Sequence, residues 1–276
     1  MLAMHRTKWL ETTVSDRALT LAYTDISSEG TGLPTVYFHG WGCTKADFEG
    51  AEAEPNLAGR WRLAVDFPGH GDSPYLKEGS ITMNDLIQGM HDVITTAGMS
   101  RFALVGHSVG NLVAIRYAQR YPGQVAGLVN VVGNMTANDC FMTAEVAADR
   151  TTRNDLIARF QNSDNVGFRR YAEGLASVNE RAFVDLAKIA VQQCESGEML
   201  NTFRHMHFFK LFLYGEEDVH TLDYLRLLEE SGVPVEKIAH SSHFPGIDNP
   251  ADYYSKIGEF MVGLDEAFGY PTPRPA

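Results

Sequence analysis

A chain of 276 residues suits one large α/β domain or two smaller ones, and 44% hydrophobic against 21% charged residues excludes disordered and collagen-like classes. The formal charge of −12 argues against nucleic acid and anionic membrane surfaces as partners, because both call for clustered Lys and Arg. A small neutral or apolar molecule is the partner that composition leaves open.

Lys8–Val14 and Ala18–Tyr23 carry a strand-like mix of apolar, aromatic and Thr residues, and the polar Ser15-Asp16-Arg17 turn between them predicts an antiparallel hairpin. Short apolar runs then alternate with amphipathic stretches of helix length. Thr35–Phe38, Leu63–Asp66, Phe102–Val105 and Val125–Val132 are the runs; Met83–Ala97 and Asn111–Tyr121 are the intervening helices. Strand and helix in alternation predict βαβ units and a parallel sheet. From Met135 to Phe203 strand signals stop and helical spacing takes over, with Leu156, Ile157 and Phe160, then Phe183, Leu186 and Ile189, on apolar faces. The rhythm resumes with strand Phe208–Tyr214, helix Thr221–Glu230, strand Val235–Ala239 and helix Pro250–Phe268, followed by a Pro-rich tail, Pro271–Ala276.

Gly106-His107-Ser108-Val109-Gly110 stands between the apolar run Phe102–Val105 and a helix. G-x-S-x-G in that context predicts a sharp strand-to-helix turn that lifts the serine hydroxyl above the sheet edge. The helix start then turns its free N–H groups toward the same point, where they suit a developing oxyanion. Three further segments fall after predicted strands: His39-Gly40-Trp41-Gly42, Tyr214-Gly215-Glu216-Glu217-Asp218, and Ser241-Ser242-His243-Phe244-Pro245.

On these motifs the chain resembles the α/β-hydrolase superfamily over nearly its whole length. The resemblance implies a mostly parallel eight-stranded sheet flanked by helices. Residues 1–134 and 204–270 would form the core, 135–203 an all-helical cap, and 271–276 a flexible tail. It also implies Ser108 as nucleophile, His243 as its base, Asp218 as the carboxylate that orients the base, and the backbone N–H groups of Trp41 and Val109 as oxyanion donors. His240 is the local rival to His243, a histidine at a strand end that packing would occupy. Glu216 and Glu217 are the rivals to Asp218. His205, His207 and His220 read as packing or solvent-facing residues. Asp66-Phe67-Pro68-Gly69-His70-Gly71-Asp72-Ser73 resembles a structural loop of the family, and His39 its structural histidine. Asn111 departs from the pattern, since many relatives carry a further Gly there.

Trp41, His107, Met135, Phe141 and Phe244 are the candidate pocket residues. Phe160, Phe168, Tyr171, Leu175 and Met142 are further large side chains in the helical stretch. The leading expectation is hydrolysis of a carboxylic ester, lactone or thioester of a small to medium apolar substrate through an acyl-enzyme. C–C bond hydrolysis of diketones and acyl transfer use the same groups. Remoter alternatives are a cofactor-free dioxygenase, whose acid follows the earlier strand where this chain has Asn130 and Asn134, and a ligand receptor with vestigial hydrolysis. No metal or phosphate-binding motif is present, so no cofactor is expected. Cys43, Cys140 and Cys194 form no CxxC pair and read as free thiols. Met1–Leu10 lacks the apolar core of a signal peptide and no run reaches membrane-span length, which makes the expected location cytoplasmic. Oligomeric state is left open.

Overall fold

Strand β1 (Thr7–Val14) pairs antiparallel with β2 (Arg17–Ile26). Ser15 and Asp16 join them with φ of 46° and 60°, the two-residue turn whose twist matches that of the strands. The computed structural model describes residues 7–26 and 32–271. The tail predicted at Pro271–Ala276 therefore lies, beyond its first residue, outside the described residues.

Six parallel strands follow: β3 (Thr35–Phe38), β4 (Arg62–Val65), β5 (Phe102–His107), β6 (Val125–Val131), β7 (Phe209–Gly215) and β8 (Val235–Ile238). With the hairpin they make one eight-stranded sheet in the order β1-β2-β4-β3-β5-β6-β7-β8. Strands β3 to β6 are buried from end to end, which is why their sequences are continuous apolar runs and not alternating ones. Within β5, Phe102 and Leu104 enter one apolar layer while Ala103 and Val105 enter the other. The period-two alternation of the strand thus feeds two cores at once.

Helices α1 (Met83–Ala97) and α2 (Val109–Arg120) pack into the first layer. Between β6 and β7 the described chain forms helices and no strand: α3 (Phe141–Ala147), α4 (Arg153–Phe160), α5 (Val166–Leu175), α6 (Glu180–Cys194) and α7 (Glu198–His205). After β7 come α8 (Leu225–Glu230), the single turn α9 (Pro245–Asp248) and α10 (Pro250–Phe268), the last packing into the second layer. Helix α2 starts two residues before the expected Asn111, because the elbow serine itself is its N-cap. Helix α8 starts at Leu225 and not at Thr221, since Glu216–Thr221 coil first as a tight 3₁₀ turn. Strand β7 begins one residue late, at Phe209.

Two anchors hold the ends of this frame. Asp85, in the first turn of α1, accepts from Ser15 Oγ at 2.5 Å and from Arg17 Nη2 at 2.7 Å, fastening the hairpin turn to the helix start. Arg60 and Asp265 form a fully buried bidentate pair at 3.1 and 2.6 Å, and Asp265 also accepts from the amide of Leu33 at 2.8 Å. No described helix is long and apolar enough to cross a membrane.

Candidate active site

Ser108 sits between β5 and α2 with φ 50° and ψ −125°, a conformation costly for any residue with a side chain. The flanking glycines make it possible. A Cβ on Gly110 would lie 2.3 Å from the carbonyl oxygen of Phe38 and 2.4 Å from that of His39, and one on Gly106 would lie 2.7 Å from Asn111 Cα. Neither neighbour is a flexible side chain that could give way. The serine amide donates to Val131 O at 2.9 Å, and the residue is 8% exposed at the C-terminal edge of the sheet.

His243 Nε2 lies 3.1 Å from Ser108 Oγ, and His243 Nδ1 lies 3.5 Å from Asp218 Oδ2. The loops carrying His243 and Asp218 touch because Gly215, at the end of β7, has no Cβ; one there would meet Ser242 O at 2.2 Å. The amide and the hydroxyl of Ser242 both donate to Asp248 Oδ2 at 2.9 Å, and Gly167 N donates to Asp248 Oδ1 at 2.9 Å, so one carboxylate ties the histidine loop to helix α5. From the nucleophile side, His107 Nε2–H donates to His243 O at 2.7 Å. Burial, with His243 close by, pushes the His107 pKa down to about 3, so it stays neutral.

The rivals stand elsewhere. His240 is exposed, contrary to the packed position expected for it, because φ of 52° turns it out at the end of β8. Glu216 pairs with Lys237 at 2.6 Å and accepts from the His240 amide. Among the described contacts of the three acids, only that of Asp218 reaches His243. His205 bonds its own helix at Asn201 O, and His207 lines a cavity of about 770 Å³ near the opposite ends of β5 to β7. The side chain of His220 falls outside the described part.

Beside the serine, the His39–Gly42 turn closes with a bond from Cys43 N to Gly40 O at 3.1 Å. A Cβ on Gly40 would meet His107 Nδ1 at 2.8 Å, so this turn too depends on glycine. His39 Nε2 accepts from Phe67 N at 2.8 Å, which leaves the proton on Nδ1 to be donated to Gly40 O at 2.7 Å. Burial pushes the His39 pKa down to about 4, so the ring is a neutral brace between two loops. Asp66 performs the same kind of service, accepting from Lys45 N, Lys45 Nζ and Asp72 N. The amide of Val109 belongs to the first turn of α2, where a helix leaves its N–H groups unpaired.

A small cavity of about 30 Å³ lies over the serine. Trp41, His107, Phe141 and Phe244 line it, together with Met142, Thr143, Tyr171, Asn134, Asp139 and His243. Met135, the fifth candidate, does not line it. It is fully buried, and its sulfur accepts from Asn130 Nδ2 at 3.3 Å. Trp41 stacks on Phe183 at 4.2 Å and donates its indole N–H to Phe183 O at 2.8 Å, while Tyr171 stacks on Phe244 at 5.1 Å. Residues of α5 and α6 thus meet the sheet-edge loops through aromatic pairs. The Tyr171 hydroxyl is buried without a hydrogen-bond partner among the described residues.

Sequence reasoning passed over one polar contact. Asn134 Oδ1 lies 3.3 Å from Ser108 Oγ. The chain reaches this point through Val132, whose φ of 44° bends it back over the sheet edge, and no residue type in Asn130–Asn134 announces that bend. No described group of three or more His, Cys, Asp or Glu could hold a metal ion. All three cysteines are free and buried.

An eight-stranded, mostly parallel sheet with a serine on a strained β-to-α turn above its C-terminal edge defines the class of the molecule. Residues 36–256 match the Alpha/beta hydrolase family, and the chain belongs to it. It is 34% identical over 117 residues to the sn-1-specific diacylglycerol lipase ABHD11 of Mus musculus, covering 42% of this chain and 37% of that protein. It is 32% identical over 108 residues to the pimeloyl-[acyl-carrier protein] methyl ester esterase of Neisseria meningitidis, covering 39% of this chain and 30% of that one. The matched stretch spans about a third of the length of these curated relatives. A structure from work on carboxylesterases of the ammonia-oxidizing thaumarchaeon Nitrososphaera gargenis superposes with a TM-score of 0.77 at 17% identity, covering 94% of this chain and 100% of the other, a likeness of fold.

Proposed function

We propose that this protein is a serine hydrolase that cleaves a carboxylic ester, lactone or thioester through an acyl-enzyme. The observation that carries the reading is the 3.1 Å approach of His243 Nε2 to the hydroxyl of a serine on a strained elbow. Ser108 Oγ attacks the carbonyl carbon while its proton passes to His243 Nε2. Asp218, beside Nδ1, holds the tautomer that leaves Nε2 free to accept and offsets the imidazolium charge. The amides of Trp41 and Val109 receive the oxyanion; removing one such donor typically costs about 3 kcal/mol of transition-state stabilisation. His243 then returns the proton to the departing alcohol, thiol or ring oxygen. Water repeats the sequence on the acyl-enzyme. The relatives named for a lipase and a methyl ester esterase support ester chemistry.

In this reading residues 135–203 act as a cap. A cavity of about 30 Å³ has room for little more than a water molecule, so substrate enters when the aromatic contacts of α5 and α6 part. Its walls of Trp41, Phe141, Tyr171 and Phe244 favour an apolar acyl group.

The test is a set of p-nitrophenyl esters, lactones and a diketone, with fluorophosphonate labelling, on wild type, Ser108→Ala and His243→Ala. Turnover falling about 10⁴-fold or more in both variants is the expected result. An active Ser108→Ala enzyme would remove the reading.

A further inference from the structure

Hydrolysis of an acyl-enzyme needs a water molecule held with a lone pair toward the acyl carbon. Such a water has two O–H bonds to place. His243 Nε2 accepts one, and that bond alone leaves the molecule free to swivel about it. The surroundings of Ser108 Oγ hold a second acceptor. Asn134 Nδ2 donates to the carbonyl oxygen of Asp139 at 2.7 Å, and because a carbonyl can only accept, the amide is oriented with Oδ1 toward the serine, 3.3 Å from Oγ. Asp139 fixes the loop in turn, its carboxylate accepting from the amides of Met135 and Thr136 at 2.8 Å each. Both Asn134 and His243 line the cavity over the nucleophile.

In the free enzyme the single proton of Ser108 can satisfy His243 or Asn134 but not both. Once Oγ is acylated it has no proton, and both acceptors face the acyl group unfilled. We propose that Asn134 Oδ1 accepts the second O–H of the deacylating water, making Asn134 a catalytic residue of the second half-reaction; this rests on the serine-hydrolase reading above. The water oxygen bonds to the acyl carbon, its first proton passes to His243 Nε2, and the carbonyl π pair moves to the oxyanion. Collapse breaks the C–Oγ bond, His243 returns its proton to Oγ, and the proton held by Asn134 leaves with the carboxylic acid product. Acylation needs no such second acceptor.

Methanol separates the two roles, because it has one O–H for His243 and a methyl group where the second would be. Wild type and Asn134→Leu are compared for fluorophosphonate labelling, for the burst of p-nitrophenol, and for the ratio of methyl ester to acid formed in dilute methanol. Expected for Asn134→Leu are labelling near the wild-type rate, a burst near one equivalent, steady-state hydrolysis lowered ~10-fold or more, and a methanolysis-to-hydrolysis ratio raised by a similar factor. Asn134→Ser gives the same measurements if the leucine variant does not fold. Burst and steady state falling together at an unchanged product ratio would overturn the assignment and leave Asn134 as a loop anchor. A wild type that neither labels nor turns over would overturn the serine-hydrolase reading, and this one with it.

Discussion

The floor and the ceiling of the cavity over Ser108 are built by different means. The floor is backbone: Gly40, Gly106, Gly110 and Gly215 each stand where a Cβ would meet its nearest neighbour at 2.2 to 2.8 Å. Neutral buried histidines, His39 and His107, brace its loops. The ceiling is side chain: the stacks of Trp41 on Phe183 and Tyr171 on Phe244, and a phenol with its hydroxyl unpaired among the described residues. Backbone so confined has one arrangement, whereas aromatic faces in contact can part and meet again. In the reading proposed above, the sheet edge supplies the precision and the helices of residues 135–203 the movement.

Gly110→Ala tests the floor most severely. The added methyl would lie 2.3 Å from a backbone oxygen, so we expect a loss of ~3–5 kcal/mol in chemical denaturation together with loss of esterase activity. A stable, active variant would show that the elbow can yield and would break the comparison.

Acid should loosen the floor before the ceiling. Burial lowers the pKa of His39 to about 4 and of His70 and His107 to about 3. Their folded values lie below that of an unfolded histidine, near 6.5, so the unfolded chain binds more protons and stability falls as pH drops below that point. Asp139, in the ceiling, works the other way. Burial raises its pKa to about 6, so between the ordinary carboxylate range and pH 6 the fold holds the extra proton and gains stability on acidification. Three histidines against one carboxyl predict a net loss of ~4 kcal/mol from pH 7 to pH 5, read by urea titration at each pH. Stability that stays level or rises over that interval would contradict the neutral braces.

The smallest effect belongs to Tyr171→Phe. Removing a buried hydroxyl with no partner among the described residues should leave the melting temperature unchanged or raise it, by ~0–1 kcal/mol of stability. A clear fall would mean that the hydroxyl has a role in the packed ceiling.

Much of the floor is legible in the residues themselves. G-x-S-x-G after an apolar run and before a helix requires a particular backbone, and only glycine tolerates the approach of Phe38 O and Asn111 Cα. Helix α1 ends where it was expected because Thr82 and Asp85 form a capping box at one end and Gly98 takes φ 86° at the other. The ceiling is less legible. Met135 and Phe141 look alike as apolar residues at the start of the helical stretch, yet one is fully buried and the other is 55% exposed and lines the cavity. Asn134 was legible only as an amide at the place after β6 where some proteins of this fold carry an acid, with nothing to show that it faces Ser108.

By itself the sequence determined where strands and helices alternate, where the serine turn falls, and which histidine and carboxylate stand after the last two strands. Local stereochemistry and hydrophobic period decide those features, and both act over a few neighbouring residues. Tertiary structure alone decided that Asn134 faces Ser108, that His107 holds the backbone of His243, and that one aspartate, Asp248, ties the histidine loop to α5. Each of these joins segments 26 to 136 positions apart, and such contacts depend on how the whole sheet brings its strand ends together.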